Sequence, residues 1–237
     1  MKSRLKNLPS VILVLLLLLA ITELNAYYRA TDLARQRLEG SAGVTVTITD
    51  FGYFFDGSGD KCAMIFYPGA NVEEAAYSGI MTTLAENGTD CFLVKMPMHL
   101  AFLGKAEAAG IIKRYDYDRW YIGGHSLGGA MAAEYCAEHS SDFDGLVMLG
   151  AFSRRKVPDS VPAVVIRGSN DTVLREDLYR INQANNPADS RIITIEGGNH
   201  SGFGDYGAQK GDGPAEITPE EQQEITAEAI LDLTGSR

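Results

Sequence analysis

Trp120-Tyr121-Ile122-Gly123-Gly124-His125-Ser126-Leu127-Gly128-Gly129-Ala130-Met131-Ala132-Ala133-Glu134-Tyr135 passes from an apolar run, through a serine flanked by glycines, into residues that favour a helix. The pattern is G-x-S-x-G between a strand and a helix, the sequence form of a nucleophile elbow. So tight a reversal needs glycine at the flanks, where a Cβ would block the bend or hold helix and strand apart. The turn would lift the Ser126 hydroxyl above a sheet. A pentapeptide alone is a weak sign in a chain with 25 glycines among 237 residues, so its meaning rests on what lies downstream.

Two later turns supply the rest. Val164-Val165-Ile166 leads into Arg167-Gly168-Ser169-Asn170-Asp171-Thr172, and Ile192-Ile193-Thr194-Ile195 leads into Glu196-Gly197-Gly198-Asn199-His200-Ser201-Gly202. Asp171 and His200 thus each fall just past a strand end. A serine hydroxyl is a poor nucleophile at neutral pH, and a neutral imidazole can take its proton and return it to the leaving group. A buried carboxylate fixes the imidazole tautomer and stabilises the imidazolium. Ser126, His200 and Asp171 are therefore read as nucleophile, base and orienting acid. Of the other histidines, His125 shares the serine's turn and its ring is expected to point elsewhere. His139 lies at the far end of the elbow helix, and His99, past another strand end, is the fallback base. The strand after the elbow helix ends Leu149-Gly150-Ala151-Phe152-Ser153 without a carboxylate, and Glu176 and Asp177 fall on a predicted helix. Asp171 is the remaining acid; a turn-former or helix N-cap is its alternative role.

An oxyanion hole needs two backbone N–H groups aimed at the developing charge. Leu127, after the nucleophile, supplies one. The loop Tyr67-Pro68-Gly69-Ala70-Asn71-Val72 follows the first buried strand, and Ala70 is the expected second donor, with Asn71 the alternative.

The rest of the chain alternates strand and helix with short connections and no internal repeat. Residues 44–49 alternate as an edge strand, 53–55 form a second short strand, and Asp56-Gly57-Ser58-Gly59 reads as a hairpin turn. Cys62-Ala63-Met64-Ile65-Phe66-Tyr67 and Cys91-Phe92-Leu93-Val94 are continuous apolar runs suited to parallel strands covered on both faces. Helices are predicted at 72–86, 99–115, 127–138 and 220–233. The pattern specifies an α/β domain with a mainly parallel sheet and helices on both faces, its site beyond the carboxyl ends of the strands. Only residues 154–161 separate the strand after the elbow helix from the acid strand, which leaves no room for a lid domain. The glycine-rich loop 202–214 is read as a flexible flap or a slack surface connection.

A net charge of −10 argues against a nucleic-acid partner. Cys62, Cys91 and Cys136 show no metal spacing and read as small buried residues, with a Cys62–Cys91 disulfide open in an oxidising compartment. No metal or organic cofactor is implied. At the start, Lys2, Arg4 and Lys6 precede an apolar stretch that reaches bilayer length when counted over 8–26. A signal anchor is favoured over a cleaved signal peptide, because Leu24-Asn25-Ala26 lacks the small residue preferred three positions before a cut. Either reading puts the domain on the extracytoplasmic side, membrane-anchored or secreted. The expected organisation is an N-terminal transmembrane anchor at 1–28, a stalk or docking helix at 29–41 and the α/β domain at 42–237.

Over 44–233 the chain resembles the α/β-hydrolase fold, through its elbow GHSLGG, its acid turn GSND and its histidine turn GGNH. Its size is similar to the dienelactone-hydrolase-like branch, and its YPG, GHSLGGAMA and EGGNH segments to membrane-anchored, otherwise uncharacterised α/β-hydrolases. Dienelactone hydrolases proper use a cysteine nucleophile where this chain has Ser126, so their lactone specificity does not carry over. The resemblance implies a serine hydrolase acting on a small-molecule ester, thioester or related acyl bond. Acyl transfer or peptide cleavage by the same triad, or a degenerate membrane-tethered binding module, are the alternatives.

Overall fold

The computed structural model describes residues 26–59 and 61–236. Among them, β1 (Thr45–Thr49), β2 (Gly52–Asp56), β3 (Cys62–Tyr67), β4 (Asp90–Val94), β5 (Arg119–His125), β6 (Gly145–Leu149), β7 (Ala163–Gly168) and β8 (Arg191–Ile195) form one sheet. Their spatial order is β1-β2-β4-β3-β5-β6-β7-β8. β1, β2 and β4 pair antiparallel, and β4 through β8 pair parallel. The apolar runs become inner strands because both faces are covered: every residue of β3, β4 and β6 is buried.

The helices are α1 (Asp32–Arg37), α2 (Ser78–Glu86), α3 (Glu107–Ile112), α4 (Leu127–Glu138), α5 (Glu176–Asn182) and α6 (Pro219–Thr234). Side chains alternate along β3. Met64 and Phe66 pack with Ala34, Ile80, Leu84 and Ile230 of α1, α2 and α6. Ala63, Ile65 and Tyr67 pack with Ile111, Ala132, Cys136 and Tyr179 of α3, α4 and α5. Each large apolar side chain buried this completely contributes about 1.5–3 kcal/mol relative to exposure. α6 starts at a capping box, Thr218 and Glu221 each bonding the other's backbone N–H, with Pro219 in its first turn.

The structure corrects three local expectations. Asp56–Gly59 is no hairpin turn, because β4 lies between β2 and β3. The tight turn is instead at Asp50-Phe51, where Thr49 pairs with Gly52. The 57–59 segment crosses to β3 with the Gly57 N–H held by the Asp90 carboxylate at 2.8 Å. The helix expected at 99–115 is broken into short turns at Pro97–His99 and Ala101–Leu103 before α3. Met98 and His99 both have φ 54°, and Leu100 is extended, so a continuous helix cannot pass through them. The loop 202–214 is not slack: Phe203, Asp205 and Tyr206 are buried, and Asp212 is tied into the histidine turn.

The polar segment after residue 27 packs on the domain. Ala34 is buried, Ser78 Oγ donates to the Ala34 carbonyl at 2.7 Å, and Arg37 pairs with Asp205 at 2.6 Å. The apolar stretch read as an anchor lies, Ala26 excepted, outside the described residues. No helix among the described residues is long and apolar enough to cross a membrane. The three cysteines are free and buried, and burial pushes the Cys91 thiol well up and the Cys136 thiol to about 12.

Candidate active site

β5 delivers Ser126 at φ 52°, ψ −122°, the left-handed side of backbone space, at a cost of order 1–3 kcal/mol. The fold over-determines that turn. The Ser126 N–H donates to Leu149 O of β6 at 2.8 Å, and its carbonyl accepts from Ala130 N at 3.0 Å. A Cβ on Gly124 or Gly128 would collide with the Tyr67 carbonyl, so these glycines let the start of α4 rest on the end of β3. β3 and β5 are neighbours, yet the chain goes from β3 outward to β4 and from β5 the other way to β6. Ser126 and the 68–71 loop therefore flank the crevice at this switch point.

The turn after β7 carries Asp171 and the turn after β8 carries His200. Their side chains are each 1% exposed, and His200 Nδ1 lies 2.8 Å from Asp171 Oδ2. A carboxylate only accepts, so Nδ1–H donates and leaves Nε2 as the acceptor of the neutral ring. Asp171 Oδ1 takes the N–H groups of Val173 and Leu174 at 3.0 and 2.8 Å, which fixes the carboxylate. The histidine turn is pinned from behind. Gln222 of α6 accepts from Asn199 N and donates to Asn199 O, at 3.0 and 2.8 Å. Asp212 accepts from the N–H groups of His200 and Ser201, at 3.2 and 2.8 Å. Gly150, φ 51°, passes beneath the pair, where a Cβ would sit 2.9 Å from His200 Nδ1.

Ser126 and His200 line one cavity of about 240 Å³, walled by Ala130, Ala151, Phe152, Val173 and Leu174. His200 Nε2 is buried and unpartnered among the described residues, and Ser126 Oγ makes no hydrogen bond to it. A larger cavity, about 760 Å³, lies between α1 and the 199–220 segment. Neither Ser126 nor His200 lines it, so the smaller one is the candidate site. Among the described residues no cluster of His, Cys, Asp and Glu is arranged to hold a metal ion.

On the far side of the crevice, the Asn71 N–H is taken by the His99 carbonyl at 2.9 Å, which removes Asn71 as an oxyanion donor. The N–H groups of Ala70 and Leu127 donate to no acceptor among the described residues. His99 stands apart from Asp171: its ring stacks on Tyr27 at 4.1 Å and its Nδ1 is 3.9 Å from Glu74. His125 turns away from the serine, as its place in the turn requires, and bonds Tyr77 Oη through Nδ1 at 2.8 Å.

A family model described as Alpha/beta hydrolase family matches residues 63–224. The chain belongs to that family. No curated protein matches it. Among solved structures, the hydrolase is similar to dienelactone hydrolase from Anabaena variabilis, with 12% identity and a TM-score of 0.57 over 80% of this chain and 96% of that one. A serine hydrolase involved in carbazole degradation matches at 14% and 0.56, over 82% and 100%. A membrane phospholipase A matches at 13% and 0.58, over 95% and 99%. These likenesses are of fold.

In this α/β-hydrolase the sequence did not reveal how the 68–71 loop is held. Tyr77 is fully buried; its hydroxyl accepts the Gly69 N–H at 3.1 Å and shares a hydrogen bond with His125 Nδ1. Burial, then the neighbouring His200, hold the His125 pKa well below its usual value, so its ring stays neutral. Burial likewise keeps the Tyr77 phenol protonated. Only the three-dimensional contact of residues 48 positions apart exposes this link.

Proposed function

We propose that this α/β-hydrolase is a serine hydrolase cleaving an ester, thioester or related acyl bond, with Ser126 as nucleophile, His200 as base and Asp171 as the group that orients His200. The observation that carries the reading is the buried Asp171–His200 bond, which leaves Nε2 without a partner in a residue that lines the same cavity as Ser126. Nε2 takes the Ser126 proton as Oγ attacks the acyl carbon, then gives it to the leaving alcohol or thiol. The Ala70 and Leu127 N–H groups stabilise the oxyanion. Water, deprotonated by the same Nε2, releases the acid from the acyl-enzyme. The apolar wall at Phe152 and Leu174 suits an apolar acyl group. The serine hydrolase and phospholipase A named among the similar structures agree with this class of reaction. Lys2, Arg4 and Lys6 before the apolar stretch support a membrane tether with the domain outside the cytoplasm.

The test is turnover of a short-chain p-nitrophenyl ester. Ser126→Ala is expected to lower kcat by about 10⁴-fold or more with an unchanged circular dichroism spectrum. Undiminished hydrolysis in that variant rules the proposal out.

A further inference from the structure

We propose that the rim beside Ser126 rests on a lipid bilayer, and that the hydrolase draws its substrate, the acyl ester of a membrane-resident amphiphile, directly from it. This rests on the serine-hydrolase reading above and names its substrate class.

The rim is the 97–103 segment. Met98, Phe102 and Leu103 are 50%, 55% and 49% exposed, three large apolar side chains within six residues. Scattered exposed apolar residues are ordinary, but a cluster marks a surface that something covers. The segment borders the candidate site. It follows the carboxyl end of β4, its Ala101–Leu103 turn packs against the elbow helix, and its His99 carbonyl takes the Asn71 N–H beside Ala70. Its backbone is held in an unfavourable form: φ is 54° at both Met98 and His99. Hydrogen bonds from His99 N to Met96 O and from Leu100 N to Pro97 O, both 3.0 Å, lock that form. The fold thus maintains strain of order 1–3 kcal/mol per residue in a turn that keeps Met98 in solvent.

The chain itself identifies the covering medium. The Tyr27 ring stacks on His99 at 4.1 Å, and the Tyr28 N–H donates to Asn71 O at 2.7 Å. The chain therefore enters the domain at this rim. Upstream stand Lys2, Arg4 and Lys6 and the apolar run Val11-Ile12-Leu13-Val14-Leu15-Leu16-Leu17-Leu18-Leu19-Ala20-Ile21. Six residues from Ile21 to Tyr27 reach at most about 20 Å, so a bilayer that takes up the run holds the rim close to its surface. Tyrosines at the join and the Arg29 guanidinium 5.4 Å over the Tyr27 ring suit the headgroup layer. A protein partner would explain the exposed trio but not its convergence with the apolar run. The cavity is small and apolar, and no helix crosses 150–162 to roof it. An acyl chain can enter from one end while its remainder stays in lipid. With a net charge of −10, a zwitterionic surface is the favourable one.

The test reconstitutes the full chain in phosphatidylcholine vesicles and measures two activities: fatty-acid release from the vesicle lipid, and hydrolysis of water-soluble p-nitrophenyl butyrate. The wild type is expected to do both. A variant carrying Phe102→Ser and Leu103→Ser is expected to lose lipid hydrolysis by about tenfold and keep soluble-ester hydrolysis within about twofold. Equal loss of both, or no loss of lipid hydrolysis, overturns the inference. A wild type that cleaves the soluble ester but releases no fatty acid also overturns it while leaving the serine-hydrolase reading intact. Cleavage of neither substrate defeats that reading instead. As a second measurement, Phe102→Trp in brominated phosphatidylcholine should show fluorescence quenching that the wild type, with the buried Trp120 alone, lacks; equal quenching counts against the bilayer-facing rim.

Discussion

On the β7–β8 side of Ser126, side chains do the holding. Asp171 bonds His200, two backbone N–H groups hold Asp171, and Gln222 and Asp212 pin the histidine turn. On the β3–β4 side the groups on offer are backbone N–H, and what fixes them is indirect: a buried tyrosine under Gly69, a carbonyl of the strained 97–99 turn, and the incoming chain at Tyr28. The first side is a buried, hydrogen-bonded Asp171–His200 pair whose parts each have several anchors. The second is a loop clamped between three elements. Damage to the first should abolish chemistry outright, and damage to the second should weaken transition-state stabilisation while leaving chemistry in place.

Asp171→Asn attacks the first side at its centre. The amide can offer Nδ1 the wrong partner and favour the wrong tautomer, so kcat on a p-nitrophenyl ester should fall by about 10³–10⁴-fold with the fold intact. A loss of less than about tenfold would show that another group orients His200. Gly150→Ala is a finer probe of the same side. Its Cβ would press on His200 Nδ1, Cε1 and Asp171 Oδ2 at 2.9, 3.1 and 3.2 Å, at a residue with φ 51°. A loss of about 10²-fold in kcat is expected, since small misplacements of a base are costly. Tyr77→Phe addresses the second side. It leaves the Gly69 N–H and His125 Nδ1 without their partner, at about 1–3 kcal/mol of stability measured by urea unfolding. Because it would shift the proposed oxyanion donor Ala70 rather than delete it, kcat should fall about tenfold with KM nearly constant. A drop as deep as that of Asp171→Asn would erase the contrast between the two sides.

The same division governs what could be read from the sequence. The placement of Ser126, Asp171 and His200 in turns at one edge of the sheet was legible because each stands in a glycine-rich turn directly after an apolar run, and parallel sheets put such turns on one edge. The inner strands were legible as unbroken apolar runs. The position of β2 was not, because its sequence says strand but not neighbour; that β4 inserts beside it depends on pairing Gly52 with Val94 across the fold. The break at 97–104 was hidden because Met98 and His99 are not residues that announce a positive φ. Gln222, Asp212 and the Tyr77–His125 link act across long sequence separations with no local signature, so the supports of the site exist only in three dimensions.

The central claim is that His200, oriented by Asp171, makes Ser126 a nucleophile. Labelling with a fluorophosphonate, read by intact mass and peptide mapping, tests it most directly. The account predicts one adduct, on Ser126, formed far more slowly in His200→Ala. An unlabelled Ser126, or labelling at the same rate without His200, would contradict it.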